Sequence, residues 1–191
     1  QAGAVNTLYL NSAGKLCGDN TDGIGLVADL TRLGVTFNGI SVLLLGAGGA
    51  SRGVVGPILG AGASNVHIAN RTADKAAKVA ALFNHQVTAS GFNDIPPLKW
   101  QLVINATSSG LSRQRPEIDE MHLQSCQLAY DMMYDKEPTA FLRWSQQHGV
   151  PICADGIGML VAQAAASFQL WRGVKPDVAF VLEKLTALVR T

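Results

Sequence analysis

Ser41-Val-Leu-Leu-Leu-Gly-Ala-Gly-Gly-Ala-Ser-Arg52 is the stretch that decides the fold. A run of strand-prone apolar residues enters a glycine cluster that opens a helix, the order of a nucleotide-binding strand-turn-helix. Gly46 permits the tight turn, and Gly48 and Gly49 carry no side chain to block a pyrophosphate. Unpaired N–H groups at the helix start can hold negative charge. Residues 46–50, Ala47 and Ala50 included, are therefore the expected cradle of a dinucleotide. Ser51 stands where the usual fingerprint has its third glycine, so the motif alone also fits an ordinary tight turn. The neighbouring sequence favours the cradle. Gly53-Val-Val-Gly-Pro-Ile-Leu-Gly60 can continue the helix, and Asn65-Val-His-Ile-Ala69 reads as a second buried strand that completes a βαβ unit.

Working outward, residues 5–9 and 15–17 flank Asn11-Ser-Ala-Gly14 and read as a short hairpin. Asn20-Thr-Asp-Gly23 supplies helix-start residues before an apolar-periodic stretch, 24–33, that stops at Gly34. Thr72 can cap a helix over 73–83. Further strands are expected at 86–89, 102–105, 128–131 and 150–153, and helices over 156–171 and 177–189, the last opening after Pro176. Strands alternating with helices predict a doubly wound parallel α/β sheet. The first hairpin and the last helices stand outside that alternation.

Of 191 residues, 48% are hydrophobic and 15% charged, enough to bury a core, and the net charge of +1 provides no field for nucleic acid or an anionic membrane. Small-molecule chemistry is the expectation, with no nucleic-acid or membrane partner. Cys17, Cys126 and Cys153 are odd in number and lack metal-site spacing, so they read as reduced cysteines of a cytoplasmic protein.

The second strand tells the two nicotinamide dinucleotides apart. NAD sites place an acid at its end to bind the adenosine ribose. Here the strand runs into Asn70-Arg-Thr-Ala-Asp-Lys75, which puts Arg71, Thr72 and Lys75 where the extra 2′-phosphate of NADP lies. Arg71 offers a planar fork and Lys75 a point charge. Both could instead be solvated residues of a first helical turn, but cations there oppose the helix dipole, and a bound dianion reverses that penalty.

With these residues assembled, the chain resembles the shikimate dehydrogenase family. The resemblance rests on Ala2-Gly-Ala-Val-Asn-Thr7, Gly18-Asp-Asn-Thr-Asp-Gly23, Gly46-Ala-Gly-Gly-Ala-Ser-Arg52, Asn70-Arg-Thr72, Asn105-Ala-Thr-Ser-Ser-Gly110, Tyr130-Asp-Met-Met-Tyr134 and Ala154-Asp-Gly-Ile-Gly-Met-Leu-Val-Ala-Gln163. It implies an NADP-dependent oxidoreductase that interconverts 3-dehydroshikimate and shikimate. It further implies that Asn6 and Gln163 bind substrate, that Asp22 partners a catalytic lysine, and that Tyr134 lies near substrate and nicotinamide. Met132 and Gly156 would line the nicotinamide pocket, and Asn105, Ala106 and Thr107 would border the cofactor. Residues 22–155 would form the Rossmann-like NADP-binding domain, with 1–21 and 156–191 as parts of the substrate domain. Each site residue also has a plainer reading: Asp22 as a helix cap, Asn6 as a hairpin partner, Gln163 as a pairing within helices, and Tyr134 and Met132 as core.

The family begins with a further α/β region that carries its lysine and the hydroxyl groups for the substrate carboxylate, and these blocks do not occur in the 191 residues. The sequence therefore predicts a truncated enzyme with impaired turnover that dimerises through the faces left without partners. A quinate/shikimate paralogue that accepts NAD, and a nucleotide-binding module without catalysis, are the alternatives.

Overall fold

In the computed structural model, residues 3–83, 85–107 and 114–190 are described. The chain opens with an antiparallel pair, β1 (Thr7–Leu10) and β2 (Leu16–Asp19), and then α1 (Asp22–Arg32) leads into the main sheet. That sheet holds β3 (Ser41–Leu45), β4 (Asn65–Ala69), β5 (Val87–Ser90), β6 (Leu102–Asn105), β7 (Leu128–Asp131) and β8 (Ile152–Asp155). Every neighbouring pair is parallel, in the order β5-β4-β3-β6-β7-β8. The expected doubly wound sheet is present. Its order reverses between β3 and β6, so the crevice for a ligand lies beyond the carboxyl ends of those two strands.

Alternation along the strands fills both faces. Val42 and Leu44 join Val66, Ile68 and Ile104 under α2 (Gly49–Gly60) and α3 (Ala73–Ala80), while Leu43 and Leu45 join Val103 and Trp100 on the other face. That second face is covered by α4 (Ala140–Gln147) and by chain whose described residues include short 3₁₀ turns at Phe92–Asp94 and Glu120–Leu123. The sequence reading omitted α4, whose polar tail hides a short apolar face behind Phe141, Leu142 and Trp144. Thr139 starts it, accepting a hydrogen bond from the Leu142 N–H at 3.3 Å.

α5 (Ile157–Arg172) and α6 (Val178–Arg190) follow β8. α1 lies between α2 and α5, and glycine makes the approach possible. A Cβ on Gly23 would collide with the Pro57 ring, and one on Gly25 would sit 2.7 Å from Gln163 Cβ and backbone N. A Cβ on Gly158 would strike the Asp29 carboxylate. Gly25 faces Gln163 and Asp29 faces Gly158, so α1 and α5 run antiparallel. Asp29 closes this seam: it is 3% exposed, pairs with Arg32 at 2.8 Å and accepts from Tyr130 Oη at 2.8 Å.

Several expected boundaries move by one to three residues, among them those of the last strand and α3. The last strand begins at Ile152 rather than at 150, since Pro151 has no N–H to enter the ladder, and α3 ends at Ala80 rather than 83.

Candidate cofactor cleft and the polar cluster at Asp22

The chain leaves β3 through Gly46, whose φ of +109° is a conformation other residues avoid. A Cβ there would stand 3.0 Å from the Ala106 carbonyl oxygen. Gly46 N–H donates to the Ala69 carbonyl at 2.7 Å and Ala106 N–H to the Leu45 carbonyl at 2.8 Å, so the turn is fastened to β4 and β6 at once. Gly48 and Gly49 play another part. Nothing lies within 4 Å of where a Cβ would stand on either, so the space above them is open. Gly48 is the N-cap of α2 and offers no side-chain acceptor, and the first turn has no acid, leaving its N–H groups for an anion.

This turn forms the floor of a cleft of about 640 Å³. Gly46, Ala47, Gly48, Gly49, Ala50, Asn70, Arg71, Thr72, Lys75, Ala106 and Thr107 line it, as the sequence expects, and Phe92 and residues 114–117 complete it. Phe92 could have been found by following β5 to its carboxyl end. Arg115 carries no local signal; its guanidinium stacks 4.3 Å from the Trp144 ring. Arg71 and Lys75 are exposed on the rim, and neither forms an ion pair among the described residues. Thr72 is the N-cap of α3, yet its hydroxyl makes no capping bond; its carbonyl accepts from Asn70 Nδ2 at 2.9 Å instead. Among the described residues the cleft thus presents N–H groups and the cations Arg71 and Lys75 without ion-pair partners over a floor of glycine and alanine, which fits a phosphorylated dinucleotide.

The next strand ends form a second group. Asn105 is fully buried; its Oδ1 accepts from Thr107 N–H at 3.1 Å and Oγ1 at 2.7 Å, and its carbonyl accepts from Met132 N–H at 2.9 Å. Residues 108–110 of that block lie outside the described residues. Asp131 follows on β7, its carboxyl pushed above the usual carboxylate range by burial, with bonds from Thr139 Oγ1 at 2.6 Å and Met133 N–H at 3.0 Å opposing the shift. Gly156 is held against this corner: a Cβ on it would collide with the Met132 carbonyl. Met132 is half-buried, and Tyr134 is 42% exposed rather than part of the core.

A third group gathers around Asp22. Asn6 Nδ2 donates to Asp22 Oδ1 at 2.8 Å and to Gln163 Oε1 at 3.3 Å. Asn6 Oδ1 accepts from Thr21 N–H at 3.0 Å and Thr7 Oγ1 at 2.9 Å. Three residues separated by up to 157 positions thus meet at one point, from the hairpin, the start of α1 and the middle of α5. The N-cap of α1 is Thr21, so Asp22 is the first helical residue and its carboxylate is held by Asn6 rather than spent on capping. Sequence reasoning missed the buried base of this cluster. Ser167 Oγ lies 2.6 Å from Thr7 Oγ1 and 3.1 Å from Thr21 Oγ1. Gln163 lies seven residues after Gly156, roughly 10 Å along α5, which separates the Asp22 cluster from the strand-end corner by about two helical turns.

Comparison with known proteins gives the family and the fold. Residues 30–135 match the family described as Shikimate / quinate 5-dehydrogenase, and residues 156–186 match the Shikimate 5'-dehydrogenase C-terminal domain. A shikimate dehydrogenase (NADP(+)) from Pseudoalteromonas atlantica is 50% identical over 185 residues, covering 95% of this chain and 68% of that protein. Among solved structures, the Ael1 enzyme from Pseudomonas putida matches with a TM-score of 0.91 at 41% identity, over 97% of this chain and 69% of that one. Shikimate 5-dehydrogenase from Thermus thermophilus, solved with NADP(H) and shikimate, matches with a TM-score of 0.81 at 31% identity, over 98% of this chain and 69% of that one.

Proposed function

Because the chain belongs to the shikimate dehydrogenase family, we propose that it transfers a hydride between NADPH and 3-dehydroshikimate to give shikimate, a step toward aromatic amino acids. The observation that carries the reading is the cleft over the Gly46 turn, where Arg71 and Lys75 stand on the rim and the residue directly after β4 is Asn70 rather than an acid. Gly48 and Gly49 leave room for a pyrophosphate on the α2 N-terminus, and Arg71, Thr72 and Lys75 hold the 2′-phosphate. Asn70, Ala106 and Thr107 border the cofactor; Asn105, expected there too, is fully buried and does not line the cleft but holds Thr107 from behind, and Met132 and Gly156 flank the nicotinamide.

NADPH, when bound, supplies the hydride. The chain supplies orientation and charge. Asn6 and Gln163 hold ring hydroxyls, and Tyr134 lies near substrate and nicotinamide. Asp22 has one carboxylate oxygen fixed by Asn6, which leaves the other for a substrate hydroxyl or for the ammonium that handles the proton. Residues 22–155 act as the cofactor domain, and 1–21 and 156–191 belong to the substrate side. We place the reaction in the cytoplasm; no described helix is long and apolar enough to cross a membrane.

The lysine block of the family does not occur in these 191 residues, so binding and turnover separate. The 191 residues taken alone should bind NADP+ and reduce it with shikimate at least about 10²-fold more slowly than an enzyme that carries the lysine block, the usual loss when a positioned acid is removed. Calorimetry and a coenzyme-reduction assay read the two quantities. A full enzymatic rate would contradict the assignment of the proton to that lysine, and absent NADP+ binding would favour a module without catalysis.

A further inference from the structure

We propose that His67 is a positioning residue for the 2′-phosphate loop: through Ser90 it fixes Asn70, and so sets where Arg71 stands at the cofactor cleft. The proposal rests on the reading of that cleft as an NADP site. A strand such as β4, buried on both faces, is normally apolar throughout, yet His67 stands in it at 2% exposure. Both ring nitrogens are engaged: Nδ1 lies 2.8 Å from Thr88 Oγ1 and Nε2 lies 2.9 Å from Ser90 Oγ, both on β5.

The hydroxyl proton of Ser90 goes to the Gly91 carbonyl at 2.7 Å, so Ser90 Oγ must accept from Nε2–H. Nδ1 then bears the lone pair and accepts from Thr88. One neutral tautomer satisfies every group. Burial, helped by His122 nearby, lowers the pKa of His67 to about 4, so the ring stays in that neutral form.

Ser90 passes this constraint to the cleft in two directions. Its carbonyl accepts from the Asn70 N–H at 3.2 Å, immediately before Arg71. Its hydroxyl holds Gly91, whose carbonyl also accepts from Asp94 N–H at 3.3 Å to close the turn that presents Phe92 to the cleft. An apolar residue at position 67 would fill the same space but remove the Nε2–H donor, leaving the Ser90 hydroxyl held by the Gly91 carbonyl alone.

The test combines calorimetric titration with NADP+ and NAD+ and amide hydrogen exchange of the unliganded protein, for the unmodified chain and for His67→Leu, His67→Gln and Ser90→Ala. His67→Leu and Ser90→Ala should weaken NADP+ by about five- to tenfold while NAD+ changes by less than about twofold, and exchange at Asn70 should accelerate by about tenfold. His67→Gln, which can still donate to Ser90, should restore most of both. Equal losses for the two coenzymes would reduce His67 to a structural role and overturn the proposal, as would unchanged Asn70 exchange. If the unmodified chain shows no preference for NADP+, the cofactor reading fails instead, and Asn70 exchange still decides the positioning claim. Should His67→Leu not fold, Ser90→Ala, which removes one oxygen, carries the same decision.

Discussion

Glycines at three positions do three different jobs, and their variants should separate accordingly. Gly46 needs its positive φ, Gly48 keeps open space above the α2 N-terminus, and Gly25 lets α1 touch the backbone of α5. Gly25→Ala is the informative case, because alanine inside a helix ordinarily stabilises by about 0.5–1 kcal/mol relative to glycine. Here the added Cβ meets Gln163 backbone N at 2.7 Å and Cα at 2.9 Å, which no side-chain rotation relieves. We expect Gly25→Ala to destabilise by about 1–3 kcal/mol. Gly48→Ala should leave the melting temperature unchanged within error and weaken NADP+ by about tenfold or more, since it intrudes only on the phosphate space. Thermal melts and titrations of both variants check this; a stabilised Gly25→Ala would refute the close packing. Gly46, Gly48, Arg71 and Lys75 were legible in the sequence because their chemistry follows from local order along the chain. Thr7, Thr21 and Ser167 were not, since a hydroxyl acquires its role only when elements distant in sequence meet over it.

At the level of elements, the apolar strands were readable almost to the residue, because β4, β6 and β7 are buried on both faces and carry continuous hydrophobic runs. α4 was not, because an eight-residue helix with a polar end presents too few turns for periodicity to declare itself. The β1–β2 hairpin and α6 differ from these in leaving one apolar face uncovered. Leu8, Leu10 and Leu16 are 59%, 68% and 64% exposed, and Phe180 and Leu188 of α6 are 58% and 74% exposed. Contiguous apolar surface of this kind promotes association. The 191-residue chain should therefore form dimers as its concentration rises, which light scattering reads directly; a monomer at every accessible concentration would show that these faces are tolerated in water.

Across the whole molecule, one architectural fact joins the two halves of the site: α1 and α5, which carry Asp22 and Gln163, are clamped to the sheet that carries the cofactor cleft. Tyr130 on β7 donates to Asp29 on α1 and accepts from the Met159 N–H on α5 at 3.3 Å, so sheet and both helices share one buried oxygen network. The sheet and its crevice could be anticipated from strand order and glycine chemistry, whereas this clamp could not, because it depends on helix approach set by Gly25 and Gly158. The claim on which the rest depends is that the rim of the cleft discriminates coenzymes by charge. The direct measurement is the ratio of NADP+ to NAD+ affinity, by calorimetry, in the unmodified chain and in the double variant Arg71→Glu, Lys75→Glu. Removing two charge-assisted contacts and adding repulsion should lower that ratio by about 10²-fold or more, while NAD+ affinity stays within about threefold. A ratio that stays the same after both charges are reversed would contradict the account.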